Sequence, residues 1–173
     1  NTGTNIFLTG KAGTGKTTFL KKLKETSPKR MIVVAPTGVA AINAGGITIH
    51  SFFQLPFGPY VPGSEMASGQ NKSYSHKFNQ DKINIIRSMD LLVIDEVSMV
   101  RADLLDAISD MLRRYRDRDK PFGGVQLLLI GDLQQLAPVV KEDEWNLLRE
   151  HYTSPFFFDS KALSKSDYLC IEL

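Results

Sequence analysis

A glycine-rich loop between a strand and a helix restricts the fold of this chain more than any other feature. Residues 10–17 read GKAGTGKT and follow a short apolar run at residues 6–8, which is typical of a buried strand. Residues 18–23 then place apolar side chains at helical spacing. Strand, loop and helix in this order form the context in which backbone N–H groups of a glycine loop surround phosphate oxygens. The alternative is a flexible turn that happens to precede a lysine, but such a turn does not require this spacing or these flanking elements.

The loop residues divide into backbone donors, a cation and a hydroxyl. The predicted nucleotide-binding residues are Gly10, Ala12, Gly13, Thr14, Gly15, Lys16, Thr17 and Thr18. The start of the following helix adds free N–H groups and the positive end of a helix dipole. Lys16 is predicted to neutralise the β- and γ-phosphates, and the Thr17 hydroxyl to bind Mg²⁺. The sequence therefore predicts binding of a nucleoside triphosphate together with Mg²⁺.

Further strands and helices alternate along the rest of the chain. Apolar runs at residues 31–35, 91–94, 125–130 and 168–173 predict strands, and helical spacing is clearest at residues 102–116. Because strands that alternate with helices form mostly parallel sheets covered on both faces, we expect one α/β domain over residues 1–173. Ligands of such sheets bind beyond the carboxyl ends of the strands, where the glycine loop is expected to lie.

Three segments and the overall charge give weaker predictions. Residues 64–82 are rich in Ser, Asn, Gln and Lys, so we expect a surface loop or an insertion there. The charged run at residues 113–120 is expected to be a solvated helix end. Cys170 lies in an apolar run and is expected to be a small core residue. The net charge of +2 gives no general signature of polyanion binding, and the apolar runs are far shorter than a membrane span.

An acidic pair and a glutamine follow two of the predicted strands. Asp95 comes directly after the run at residues 91–94 and is predicted to hold Mg²⁺ through water. Glu96 is predicted to be the general base that deprotonates the attacking water. The alternative is an acidic pair that caps the next helix. After the run at residues 125–130, the Gln135 amide is predicted to reach the γ-phosphate or the lytic water, and its alternative is a polar loop residue. The predicted catalytic residues are thus Lys16, Glu96 and Gln135.

Five segments in order give a family resemblance over nearly the whole chain. They are GKAGTGKT at residues 10–17, APTGVAA at 35–41, TIHSF at 48–52, VIDEVSM at 93–99 and GDLQQLAP at 131–138. They resemble helicase motifs I, Ia, the extension of Ia, II and III of superfamily 1B DNA helicases of the RecD/Pif type. The resemblance implies a RecA-like P-loop NTPase domain that binds ATP and Mg²⁺ and moves 5′ to 3′ on single-stranded DNA. It also implies a partner, the second RecA-like domain of the same parent chain.

The same resemblance implies a set of DNA contacts. It places Thr37, Gly38, His50 and Phe52 along the DNA strand. Hydroxyl and backbone N–H groups bind phosphates without reading sequence, and the rings of His and Phe can stack on any base. The alternative for Phe52 is a place in the core, and the alternative for His50 is a purely structural role.

Two other functions agree with the residues alone. One is a stand-alone P-loop phosphotransferase, and the other is a nucleotide-binding module that scarcely turns over. Both ends of the sequence are expected to be cut, because it starts at Asn1 without Met and ends in the apolar run at residues 168–173. The adenine-recognising glutamine motif and motifs IV to VI of the family are expected beyond these ends. A helicase of this type is expected in the cytoplasm of a bacterium, or in the nucleus or mitochondria of a eukaryote.

Overall fold

A parallel sheet of six strands forms the centre of the protein. The computed structural model describes residues 3–63 and 78–173. The strands are β1 (Asn5–Thr9), β2 (Met31–Ala35), β3 (Ile47–Thr48), β4 (Leu91–Ile94), β5 (Gln126–Gly131) and β6 (Tyr168–Glu172). Their order is β3-β2-β4-β5-β1-β6, and every pairing is parallel. In this register Ile6 of β1 aligns with Leu128 of β5 and with Leu169 of β6. The predicted parallel sheet is therefore confirmed.

Helices cover both faces of this sheet. They are α1 (Lys16–Thr26), α2 (Gly38–Ala44), α3 (Ile49–Phe53), α4 (Gln80–Ser88), α5 (Ala102–Tyr115), α6 (Glu142–Leu148) and α7 (Lys161–Ser164). Successive side chains of a strand point to opposite faces. Leu92 therefore packs with the apolar residues of α3, α4 and α5, while Val93 packs with Leu20 of α1 and Ala44 of α2. The buried strands thus read as continuous apolar runs because both of their faces lie in core.

The described residues hold no helix that is both long enough and apolar enough to span a bilayer.

The end of the predicted loop at residues 64–82 belongs to a helix. Residues 64–77 lie outside the described residues, but Phe78 is buried in the core and α4 begins at Gln80. The Asn79 side chain caps this helix by accepting from the Lys82 N–H at 2.8 Å. The first turn of this helix is polar, which is why its composition resembles that of the loop before it.

Two other expectations were wrong in part. Cys170 is exposed, because it belongs to β6, the last strand of the sheet, and every residue of β6 is exposed. In the charged run, Arg116 is half-buried and ties two elements together. Its guanidinium donates to the carbonyl oxygens of Ile86, Arg87 and Met89 at 2.8–2.9 Å, which fixes the end of α4 against α5. The pairs Arg113–Asp110 and Lys120–Asp117 in the same region are solvated, as predicted.

Candidate functional site

All the predicted site residues follow the carboxyl ends of parallel strands, so they share one edge of the sheet. The glycine loop follows β1, the acidic pair follows β4, and residues 131–135 follow β5. These three strands are neighbours, and we call this part of the edge the glycine-loop half (residues 10–18, 95–96 and 131–135). The predicted DNA residues follow β2 and β3, and we call that part the aromatic half (residues 36–38 and 48–60). The two halves meet where the Asp95 N–H donates to the Val34 carbonyl at 2.9 Å.

The glycine loop turns directly into α1. Gly13 has φ 81° and Gly15 has φ 98°, a left-handed conformation that glycine adopts without steric cost. Lys16 is the first helical residue, and its ammonium donates to the carbonyl oxygens of Gly10 at 2.5 Å and Lys11 at 2.9 Å. The lysine thus lies across the loop. The predicted loop and first-turn residues exposed to solvent are Ala12, Gly13, Thr14, Gly15, Thr17 and Thr18, while Gly10 is buried.

Asp95 and Glu96 lie together with Lys16 at the end of β4. Burial raises the pKa of Asp95, while the N–H of Glu96, which donates to Oδ1 at 3.0 Å, and the charge of Lys16 act in the opposite direction. Burial also raises the pKa of Glu96, with further contributions from the charges of Asp95 and Asp132, and Lys16 again opposes the shift. The two carboxylates therefore repel each other beside one ammonium group, and a divalent cation would relieve this repulsion.

The backbone of Glu96 is held in an uncommon conformation. Its φ and ψ are 51° and 44°, in the left-handed region, and this conformation costs a residue other than glycine roughly 1–3 kcal/mol. The residues after it, Val97–Met99, form a single 3₁₀ turn. Gly131 of β5 packs against that turn so closely that a Cβ atom there would lie 3.0 Å from Val97 Cγ1. The strain is thus held by packing between β4 and β5, and such strain is typical of functional sites.

The turn after β5 contributes a buried carboxylate and an exposed amide. Asp132 is 7% exposed, and its Oδ1 accepts from the Gln134 N–H at 2.9 Å. The Gln135 N–H donates to the Asp132 carbonyl at 3.1 Å, and the Gln135 side chain is exposed. The sequence placed Asp132 at this edge but gave it no role. Its position after β5, matching that of Asp95 after β4, was the available signal.

The donor set of this half fits Mg²⁺ bound through a nucleotide. Among the described residues no group of three or more His, Cys, Asp or Glu side chains is arranged to hold a metal by itself. Mg²⁺ keeps several waters and is bound through one or two carboxylates and substrate phosphates. The exposed Thr17 hydroxyl and the half-buried Asp95 carboxylate supply oxygens of that kind.

In the aromatic half, Thr37 and Gly38 start α2. The Thr37 hydroxyl caps the helix by accepting from the Ala40 N–H at 3.2 Å. As the acceptor in that bond, the hydroxyl keeps its own hydrogen for another partner. Gly38 is exposed, and a Cβ atom there would meet nothing within 4 Å. This corner therefore lies open to solvent at the end of β2.

His50 and Phe52 have different surroundings. His50 is half-buried, and its ring stacks on Phe57 with centroids 4.6 Å apart and planes at 21°. Burial lowers the pKa of His50, with the Arg101 charge acting in the same direction and the Asp103 charge against it. Phe52 is 3% exposed in the core and meets Phe53 edge-on, so its predicted role in stacking on a base is wrong for this conformation. Its core alternative is the one observed, because α3 turns that side chain toward the sheet.

A polar cluster distant in sequence holds the loop after α3. The Arg101 guanidinium donates to both oxygens of Asp103 at 2.9 Å and to the Gly58 carbonyl at 2.8 Å. The buried Asp103 also accepts from the Tyr60 N–H at 2.9 Å, and the Tyr60 hydroxyl donates to Asp110. Sequence reasoning missed this cluster, since Gly58 and Tyr60 lie more than 40 residues before the groups that hold them and no local pattern joins the two segments.

Comparison with known proteins identifies the family. The family model described as PIF1-like helicase matches residues 1–154. The human ATP-dependent DNA helicase PIF1 is 38% identical over 172 residues, which are 99% of this chain and 24% of that protein. The structure of Bacteroides Pif1 bound to ssDNA superposes with a TM-score of 0.89 at 48% identity, over 98% of this chain and 38% of the other.

A second solved structure is that of the Pif1 helicase from Bacteroides in complex with ADP-AlF3 and ssDNA. It has a TM-score of 0.90 at 47% identity, over 100% of this chain and 38% of the other. The chain thus spans about a quarter of its human relative and less than two fifths of these two solved chains. The alternation of strands and helices, the sheet order and these matches agree on a RecA-like domain, and the chain belongs to the PIF1-like helicase family.

Proposed function

We propose that this chain is the first of two RecA-like motor domains of an ATP-dependent 5′–3′ DNA helicase. The observation that carries the proposal is that the Lys16 ammonium lies across the glycine loop and close enough to the Asp95 and Glu96 carboxylates for its charge to lower the pKa of both. This is the arrangement that phosphoryl transfer to water requires: a phosphate cradle, a metal ligand and a base. Relatives that are named ATP-dependent DNA helicases support the proposal.

On this proposal the glycine loop and Lys16 bind the phosphates of ATP. Lys16 now donates to two loop carbonyls, and phosphate oxygens would become its acceptors. Exposed N–H groups of the loop and of the first turn of α1 would bind further oxygens. Thr17 and Asp95 would hold Mg²⁺, which neutralises charge on the β- and γ-phosphates.

Glu96 is the proposed general base. A carboxylate accepts a proton more effectively when its pKa is raised toward the working pH, and burial together with two neighbouring carboxylates raises that of Glu96. The exposed amide of Gln135, three residues beyond the buried Asp132, is proposed to contact the γ-phosphate or the lytic water. Both residues follow strands that pair with each other in the sheet, β4 and β5.

The aromatic half is the proposed path of single-stranded DNA. The free hydrogen of the Thr37 hydroxyl and the open backbone at Gly38 are suited to phosphate oxygens. The His50 ring lies on the same edge, behind Phe57. Because β2 and β4 are neighbours and their ends are joined by a hydrogen bond, the proposed DNA path lies directly beside the Asp95 segment.

A second RecA-like domain of the parent protein is proposed to complete the ATPase site. Lys16 is the one cation among the charged groups that shift the pKa of Asp95 and Glu96 in the described part of the chain. After Asp132 the sequence holds one arginine, Arg149, and it is exposed just past α6. The further positive charge that phosphoryl transfer needs would therefore come from outside this domain.

Phosphate release from the two-domain protein tests this function. We expect hydrolysis of ATP to rise strongly when an oligothymidylate is added, and to rise little with a blunt duplex of the same length. A phosphotransferase would ignore both nucleic acids and transfer phosphate only to an added acceptor. A binding module would retain the nucleotide without releasing phosphate, and either of these results would contradict the proposal.

A further inference from the structure

Phe57 is a large apolar side chain that the structure leaves almost entirely open. It is 87% exposed, and its ring stacks on the half-buried ring of His50. Aromatic side chains usually bury most of their 150–250 Å² of surface in a core or an interface. An aromatic ring held in water on the edge proposed to face DNA therefore calls for a partner that the described residues do not supply.

The loop that holds Phe57 is fixed in place on its C-terminal side. Gly58 and Tyr60 are tied to α5 through Arg101 and Asp103, at 2.8 and 2.9 Å. On the N-terminal side, α3 ends at Phe53, and the left-handed backbone of the next residue, Gln54, directs the chain out of the helix. The ring is thus presented in one position, so a partner would bind without first ordering the loop.

The chemistry around Phe57 suits a nucleobase better than a protein surface. Among the described residues exposed around Phe57, Pro56 is apolar while Ser51, Gln54 and Gly58 are polar or have no side chain, so the apolar surface there is narrower than the patches on which proteins dock. Burial lowers the pKa of His50, which leaves a neutral ring beneath Phe57 at neutral pH. The Arg101 guanidinium beside this loop is already paired with the carboxylates of Asp103 and Glu144, so it holds the loop in place. Aromatic rings on a surface bind single-stranded nucleic acid without sequence preference, because every base has a face on which a ring can stack.

We propose that Phe57 stacks on a base of single-stranded DNA and extends the His50 ring by one layer. The inference rests on the proposed function, because it assumes that DNA follows the aromatic half. It moves the stacking role that the sequence suggested for Phe52 to a residue five positions later, since α3 buries Phe52 and the pinned loop exposes Phe57.

Binding of a fluorescein-labelled oligothymidylate of about ten nucleotides to the two-domain protein tests the inference, because single-strand sites are of about this size. Phe57→Ala should raise the Kd roughly 5- to 150-fold, the usual value of one stacked base. Phe57→Trp should restore binding. Tyr168→Ala removes an exposed ring from the start of β6, at the opposite edge of the sheet, and should leave the Kd unchanged.

An abasic oligonucleotide of the same length separates stacking from loop damage. The protein without substitutions should bind the abasic oligonucleotide more weakly than the oligothymidylate, and Phe57→Ala should cause no further loss of affinity for the abasic oligonucleotide. Equal Kd values for Phe57→Ala and the unchanged protein on oligothymidylate would overturn the inference alone. So would an equal loss on both oligonucleotides, or a Phe57→Ala effect confined to a protein partner. An unchanged protein that binds no single-stranded DNA would overturn the proposed function and this inference with it.

Discussion

The two halves of the sheet edge are built in different ways. In the glycine-loop half, each functional group lies in the turn that follows β1, β4 or β5 or at the start of the next helix, and backbone N–H groups are the proposed donors to most of the phosphate oxygens. In the aromatic half, the position of the loop after α3 depends on hydrogen bonds to side chains that are 43 or 50 positions away in the sequence. The first half follows from local motifs, whereas the second exists only once α5 has packed on the sheet.

This difference predicts which substitutions impair each half. The glycine-loop half should tolerate changes in distant residues but lose its chemistry when a single charged group is altered. The aromatic half should depend on the polar cluster beneath it, in which a buried carboxylate serves three donors at once. Predictions that act on one half and spare the other therefore test the account.

The largest effect is expected from separating the domain from its partner domain. The 173-residue chain alone should hydrolyse ATP roughly 10³–10⁵-fold more slowly than the DNA-stimulated two-domain protein, the effect of a missing arginine in other P-loop enzymes. A cooperative thermal transition would show that the chain is folded in the assay. Strong DNA-stimulated turnover by the monomeric chain would mean that its own residues complete the site.

The substitution Glu96→Gln should give the next largest effect. The amide keeps the shape of the side chain but cannot accept a proton, so turnover should fall roughly 10²–10⁴-fold. ATP affinity, measured by calorimetric titration, should stay within about threefold of the starting value, since the phosphate cradle is untouched. Adding Gln134→Glu to the Glu96→Gln variant places a new carboxylate in the exposed turn after β5 and should not rescue turnover. Turnover of Glu96→Gln at the parent rate would exclude Glu96 as the base.

Most of the fold and of the glycine-loop half could be predicted from the sequence, because its signals are local. The run at residues 91–94 marks β4 and its end fixes Asp95 and Glu96, so their place needed no knowledge of packing. The left-handed backbone of Glu96 could not be predicted, since it results from the turn packing against Gly131.

The aromatic half could be predicted only in outline, again for a physical reason. The pattern TIHSF shows that rings follow β3, but which ring is buried depends on how α3 turns against the sheet. That choice places Phe52 inside and leaves the exposed stack to His50 and Phe57.

Asp103→Asn should weaken the aromatic half by an intermediate amount. The charge that holds Arg101 is lost from a side chain only 1% exposed, so unfolding by urea should show about 1.5–3 kcal/mol less stability, the usual value of a charged hydrogen bond. Single-stranded DNA binding should weaken while ATP affinity is retained. The control Asp167→Asn, at an exposed position before β6, should change neither. An equal loss of ATP affinity would show that the halves are not independent.

The smallest expected effect is a shift in the pH dependence of turnover. Glu96 must be ionised to act as a base, and its raised pKa means that turnover falls on acidification at a higher pH than for an ordinary glutamate. Asp132 contributes to raising that pKa, so Asp132→Asn should move the acidic limb of kcat against pH toward lower pH. An acidic limb that stays in place, or moves toward higher pH, would show that the protonation of another group controls this limb.

The central claim, that nucleotide and DNA occupy separate halves of one edge, is tested by measuring both affinities on two variants of the two-domain protein. Lys16→Ala should raise the Kd for Mg-ATP roughly 10- to 150-fold, the usual value of a hydrogen bond between charged groups, and leave the Kd for DNA in the absence of nucleotide unchanged. The double variant Thr37→Ala, His50→Ala should weaken oligonucleotides of unrelated sequence about equally and keep the Kd for Mg-ATP. Loss of both affinities in either folded variant would contradict the account.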